Sequence, residues 1–169
     1  RLAELAALHA IDTVVTSSHS QDKILKVLLD QISAQLGADA ADILLFDKQT
    51  QTLRYGESYG FYSTNIKNIV IKLGESYAGK VALDKHPVML FDLSQELEPK
   101  WVDHGGYAFR YKAFLCLPLL LEDEIVGVLE IFQHSIITPD EDWLHFLALL
   151  TGQAAIAVSH LQFFQEIQN

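Results

Sequence analysis

Two long apolar runs separated by a three-residue acidic turn constrain this chain more than any other feature. Residues 113–121 (AFLCLPLLL) and 125–132 (IVGVLEIF) flank Glu122-Asp123-Glu124, which is the pattern of a β-hairpin. Both arms are apolar at both parities, so strands formed here bury both faces and sit in the middle of a sheet. Such a sheet needs a covering layer on each side. The chain has 169 residues, 50% of them hydrophobic, which suits one domain with a sizeable core.

One layer comes from helices near the two ends of the chain. Leu2, Leu5, Leu8, Ile11 and Val15 recur at helical spacing over residues 1–16, and Ile24, Leu25, Leu28, Ile32 and Leu36 do so after Ser20, with Gly37 as a stop. The last helix is announced by Pro139 and by Asp140, Glu141 and Asp142, which suit the positive end of a helix dipole. Trp143, Leu147, Leu150, Ala154, Ala157, Leu161 and Phe164 then follow the a/d rhythm of a coiled coil. A second stripe of Phe146, Leu149, Ile156, Phe163 and Ile167 lies about 100° round the same helix. One stripe covers the sheet, and the other is expected to meet the N-terminal helix or a second chain.

Between these helices the period shortens to that of strands. Ile43 to Phe46, a polar turn at residues 47–50 and residues 52–58 form a second hairpin, and residues 69–73 add a third strand. Tyr77, Val81 and Leu83 suggest a short helix ending before His86-Pro87, and Val88 to Phe91 resume as a strand. Residues 93–112 show little periodicity and hold Pro99, Gly105-Gly106 and an aromatic-rich tail. A loop of roughly twenty residues inside a compact domain is uncommon unless functional, so it is the expected lid. The architecture is α+β: six antiparallel strands, one inserted helix, and helices clustered at the termini.

Composition removes several classes of function. A net charge of −10 without a basic cluster disfavours nucleic acid. The apolar runs are too short to read as a bilayer span, and no signal-peptide pattern opens the chain. The single cysteine, Cys116, suits a reducing, cytoplasmic setting. The start at Arg1 and helices that run to both ends suggest a piece of a larger protein.

Several segments in order resemble the GAF domain family over roughly residues 20–163. Leu73-Gly74-Glu75-Ser76-Tyr77-Ala78-Gly79-Lys80-Val81-Ala82 resembles its "lG.g.aG.va" segment, and Pro87-Val88 with Asp92 its "pv.i.D" strand end. Phe114 to Leu119 and Ile125 to Glu130 resemble its "s.l.vPL" and "iGvL.l" hairpin, and Gln153 to Ala157 its last helix. The resemblance implies a GAF-like six-stranded antiparallel sheet, with the terminal helices on one face and the lid on the other. It also implies a single non-catalytic, regulatory sensory domain spanning residues 1–169 of a bacterial signal-transduction protein. Such a domain binds a small molecule or receives a partner signal and relays it to a covalently attached output domain. A histidine kinase, a diguanylate cyclase or a cyclic-di-nucleotide phosphodiesterase would be such an output. Residues 1–16 and 143–169 are the expected signalling helices and the expected contact of a homodimer. The alternatives are a ligand-free dimerisation module and a haem or other cofactor sensor.

The candidate pocket lies between the sheet and residues 93–112. The lid side offers Phe91, Asp92, Trp101, His104, Tyr107, Phe109, Arg110 and Tyr111, and the hairpin beneath offers Phe114, Cys116 and Glu130. Aromatic rings give flat apolar walls, while His104 and Arg110 supply donors for an anionic or carbonyl-bearing ligand. The competing reading is that the aromatics only pin a long loop to the core. Residues 133–141 (QHSIITPDE) match only the acidic end of the Asn-Lys-Phe-Asp-Glu pattern of cyclic-nucleotide-binding members. Cys116 is followed by Leu117 rather than by the His of bilin-linked relatives, and reads as a small buried hydrophobe. The seven histidines form no H-E-x-x-H or C-x-x-C-H motif, so no metal or cofactor is named, although His104 could serve as an axial haem ligand. Glu130, set in an apolar strand, faces either the pocket or solvent near a sheet edge.

Overall fold

The computed structural model describes residues 5–7, 21–61, 64–95 and 111–168, with side chains 21, 22, 64, 65, 95 and 163–168 excepted. These residues include three helices and six strands, besides a short helical stretch at residues 5–7. They run α1 (Gln21–Leu36), β1 (Ala40–Asp47), β2 (Thr52–Tyr59), β3 (Val70–Lys72), α2 (Ser76–Asp84), β4 (Val88–Leu90), β5 (Ala113–Leu121), β6 (Glu124–Gln133) and α3 (Glu141–Gln168). Short 3-10 turns occupy Thr64–Asn68 and Leu93–Gln95. The strands form one antiparallel sheet in the order β3-β2-β1-β6-β5-β4.

Side-chain alternation splits the core into two layers. On one face, Ala41 and Ile43 of β1, Leu115, Leu117 and Leu119 of β5, and Leu129 and Ile131 of β6 pack with α1 and α3. On the other, Leu44, Phe46, Phe114, Val128 and Phe132 pack with Ala78, Val81 and Ala82 of α2. Each fully buried Leu or Phe contributes about 1.5–3 kcal/mol relative to exposure. The apolar hairpin therefore lies within the sheet, and β6 is a central strand.

Local signals fix where the helices begin and end. Gly37 takes φ 73° and its N–H bonds the Ser33 carbonyl at 3.0 Å, the left-handed stop that follows a helix C-terminus. Asp140 caps α3 by accepting the Trp143 N–H at 2.7 Å, while Glu141 and Asp142 occupy the first turn. The Trp143 indole Nε1 donates to the Leu36 carbonyl at 3.4 Å, which ties the start of α3 to the end of α1.

Helix α3 follows its first stripe but only part of its second, since Phe146 is buried in the core with the first stripe and Leu149 is half-buried. Leu147, Leu150, Ala154, Ala157 and Leu161 are buried, whereas Ile156 of the second stripe is 51% exposed and Leu144 is 40% exposed. By length and composition alone Glu141–Gln162 could cross a bilayer, contrary to the reading of the apolar runs as too short. Its buried stripe packs against the sheet and α1, as a core helix does. Of the expected N-terminal helix, only residues 5–7 are described. They are helical, and Ala7 joins the core on the α1 side.

Two bulges shape the central strands. In β2 the register slips between Ile43↔Glu57 and Leu44↔Tyr55, so Gly56 is the extra residue. In β6 it slips between Leu119↔Gly127 and Leu120↔Ile125, which leaves Val126 extra. A Cβ on Gly127 would lie 2.5 Å from the Leu44 carbonyl oxygen, and one on Gly56 would lie 2.7 Å from that of Ile43. Both neighbours of β1 thus need glycine where they press closest to it.

Candidate functional site

Antiparallel register lines up four polar side chains across the face opposite α1 and α3. Ser58 of β2 faces Asp42 of β1, Asp42 faces Glu130 of β6, and Glu130 faces Cys116 of β5. Directly opposed residues on neighbouring strands hold their Cβ atoms about 4.5–5.5 Å apart, so these groups are close neighbours. Asp42 is 0% exposed, Glu130 2% and Cys116 0%. This settles the alternatives for Glu130, whose side chain is buried on a central strand rather than wet at an edge.

Aromatic rings wall one flank of the row. Phe132 and Phe114 face each other across β6 and β5 with ring centroids 5.0 Å apart. Tyr111 lies 5.0 Å from Phe132 and stacks on His134 at 4.8 Å. Phe61 meets Phe132 edge-on at 5.3 Å, and Tyr77 of α2 lies 5.4 Å from Phe114. The opposite flank is Val128, Leu44 and Tyr55. Tyr55 reaches this face because the Gly56 bulge sets it, rather than residue 56, opposite Leu44. Its hydroxyl donates to Glu57 Oε1 at 3.1 Å and lies 2.9 Å from Ser58 Oγ, which prolongs the polar row.

Electrostatics sort the roles. Burial pushes the Cys116 thiol well above its usual range, and the negative charges of Glu130 and Asp42 push it further. Burial likewise raises the Tyr55 hydroxyl, with Glu57 and Asp42 adding to the shift and the Ser58 hydrogen bond opposing it. The shift favours the neutral thiol of Cys116 over the thiolate, which is the reactive form. Among the described residues, no group of three or more His, Cys, Asp or Glu side chains converges to hold a metal.

The residues singled out from the sequence divide three ways. Tyr111, Phe114, Cys116 and Glu130 come together on this face. Phe91 and Asp92 do not join them. Phe91 packs on the helix side, with its ring 6.2 Å from Trp143, and Asp92 Oδ1 accepts from Ser94 N at 3.0 Å and Ser94 Oγ at 2.6 Å. Trp101, His104, Tyr107, Phe109 and Arg110 lie outside the described residues, as does most of the expected lid. The sequence reading missed Asp42, Tyr55 and Ser58. The signal for Asp42 was present, since like Glu130 it is one acid beside a run of apolar strand residues.

A GAF domain family model matches residues 18–159. The chain belongs to the GAF domain family. No curated protein matches it. Among solved structures, it is similar to the GAF domain of a phosphoenolpyruvate-protein phosphotransferase from Coxiella burnetii, with 22% identity, 98% of each chain covered and a TM-score of 0.80. It is also similar to the GAF domain of a two-component sensor histidine kinase from Bacillus halodurans, with 20% identity, 88% of this chain and 99% of that chain covered, and a TM-score of 0.74. Free methionine-R-sulfoxide reductase from Neisseria meningitidis, solved with its substrate, is similar at 16% identity, 94% and 90% coverage and a TM-score of 0.73. At these identities the structural likenesses establish the fold, a six-stranded antiparallel α+β sheet with helices. Proteins of this fold include a domain of a sensor histidine kinase and also an enzyme.

The raised thiol gives a pH-dependent expectation. A folded-state pKa above the unfolded value of about 9.0 makes its contribution full below that pH and lost as pH rises through it. The urea midpoint of the wild type is expected to fall more steeply from pH 8 to pH 10 than that of Cys116→Ala. Native maleimide labelling is expected to be far slower than labelling in urea. Parallel pH profiles and equally fast labelling would show an exposed, ordinary thiol.

Proposed function

We propose that this GAF domain is a non-catalytic regulatory module that takes a small molecule on the Asp42–Glu130 face and relays its presence through α3 within a homodimer. The observation that carries the reading is the buried polar row set into an otherwise apolar, aromatic-walled layer. Buried carboxylates are kept by the groups that pair or hydrogen-bond with them, so the row is a site of polar recognition inside an apolar layer. The row shifts the expected ligand from the anionic class suggested by Arg110 and His104 toward one bearing an ammonium or amide donor. A neutral, fully buried Cys116 supports binding rather than thiol chemistry, in contrast to a reductase of the same fold. A cytoplasmic setting and an attached output domain complete the reading.

The dimer rests on a separate observation. From Trp143 to Gln165 helix α3 carries no Asp, Glu, Lys or Arg, in a chain of which 20% is charged. Leu144, Ala148, Gly152 and Ile156 are nonetheless exposed, at four-residue spacing. A solvated helix face is ordinarily charged, so an uncharged line of this kind fits a covered one. A second copy is the occupant that suits it, because a two-fold interface pairs the same stripe with itself and keeps the acidic surfaces apart. The strip is too narrow for membrane insertion, since the other side of α3 is committed to the core.

A thermal-shift comparison of 2-phenylethylammonium with 3-phenylpropanoate tests the ligand class. The ammonium compound is expected to raise the melting temperature in a saturable way, with about 2.7 kcal/mol of stabilisation at a hundredfold excess over Kd, and Glu130→Gln is expected to abolish the shift. A shift by the carboxylate alone, or one that survives in Glu130→Gln, would refute it. For the dimer, light scattering is expected to give twice 19.0 kDa for the wild type and a monomer for Ile156→Glu. A wild-type monomer at all concentrations would remove the relay axis.

A further inference from the structure

Strands β1 and β6 pair from Ala40↔Phe132 to Leu45↔Gly127 and then part. The parting has a local cause. At Gly127 the backbone of β1 leaves no room for a Cβ, and the next residue toward the turn, Val126, is the extra residue of the β6 bulge, which swings the strand away. At the fork the carbonyls of Phe46 and Val126 lose the partners that a continued ladder would supply. One side chain from α3 serves both: Gln162 Nε2 donates to the Phe46 carbonyl at 3.0 Å and to the Val126 carbonyl at 3.3 Å.

We infer that Gln162 is a releasable clasp, coupling the spread of the β1–β6 fork to the position of the end of α3. Three features support a switch rather than a fixed strut. Gln162 is half-buried, so water can replace either bond, and the closed and released states differ by roughly ten- to hundredfold in population. An open groove of about 710 Å³, lined by Phe46, Arg54, Val126, Ser159 and Gln162 among others, adjoins the clasp and leaves the helix end room to move. Gln162 also lies in the last third of α3, while the start of the helix is tied separately through Trp143. Asp42 and Glu130 sit on the same two strands, so a change in their spacing at the polar row reaches the fork along continuous backbone. This deepens the relay proposed above and rests on that reading for its role, although the clasp itself is testable without a ligand.

The test is hydrogen exchange of the whole 169-residue chain, with no ligand added, in the wild type, in Gln162→Met, which keeps length without donors, and in Gln162→Glu, which sets a carboxylate against two carbonyls. Amides of residues 159–166 are expected to exchange roughly tenfold faster in the Met variant and faster still in the Glu variant, while those of residues 144–152 stay unchanged. The carbonyl ¹³C signals of Phe46 and Val126 are expected to move with them, which a loss of packing alone would not cause. Exchange in the Met variant equal to the wild type would overturn the clasp. So would a uniform acceleration across all three helices, which would reduce Gln162 to a general stabiliser. Failure of the ammonium screen with a positive exchange result would remove the ligand class and leave the clasp standing.

Discussion

The close approach of β1 and β6 at Gly127 is the constraint on which the rest of the molecule depends. With any side chain there, a Cβ would lie 2.5 Å from the Leu44 carbonyl oxygen and the two central strands would have to separate. Their register sets Asp42 against Glu130 and hence forms the polar row. The same approach ends at the Val126 bulge, so site and fork are two consequences of one strand pairing. The layers follow from it as well. A central pair buried on both faces needs α1 and α3 on one side and α2 with its aromatic surroundings on the other.

The sheet lies between two layers of different character. The helix face is aliphatic and continuous, with Leu and Ile from three strands meeting Leu25, Leu28, Ile32, Leu147 and Leu150. The opposite face mixes Phe and Tyr rings with two acids, a thiol and a hydroxyl. The aliphatic layer rigidifies, since dense apolar packing is hardly compressible and passes strain on as movement of whole elements. In the proposed relay, a perturbation on the aromatic face is passed on through strand position rather than through side-chain rearrangement in the helix layer. In that proposal helix α3, held at its start by Trp143 and in its last third by Gln162, is the element that reports it.

Much of this was legible in the sequence, and the gaps have physical reasons. The hairpin at residues 113–132, the stop at Gly37 and the start of α3 could be read because parity, glycine and an acidic cap act locally. The ordered motifs placed the family. Phe91 was misplaced because Val88-Met89-Leu90-Phe91 is apolar throughout, so its parity carries no information about faces. Asp42 was read as a strand boundary, and only the register shows that it meets Glu130. The bulges at Gly56 and Val126 reverse the expected alternation, and no single-strand pattern discloses them. The sequence reading does not single out Gln162, since a fork between two strands far away in sequence is invisible from one helix.

The most direct check is a ¹H–¹⁵N titration of the uniformly labelled chain with 2-phenylethylammonium. Amides of Asp42, Ser58 and Glu130 should shift along one saturable curve, and those around Gln162 should shift on the same curve, because site and helix end share the β1–β6 pair. Shifts scattered over the acidic surface without saturation, or movement at the row with none at Gln162, would contradict a sensor that reports through α3.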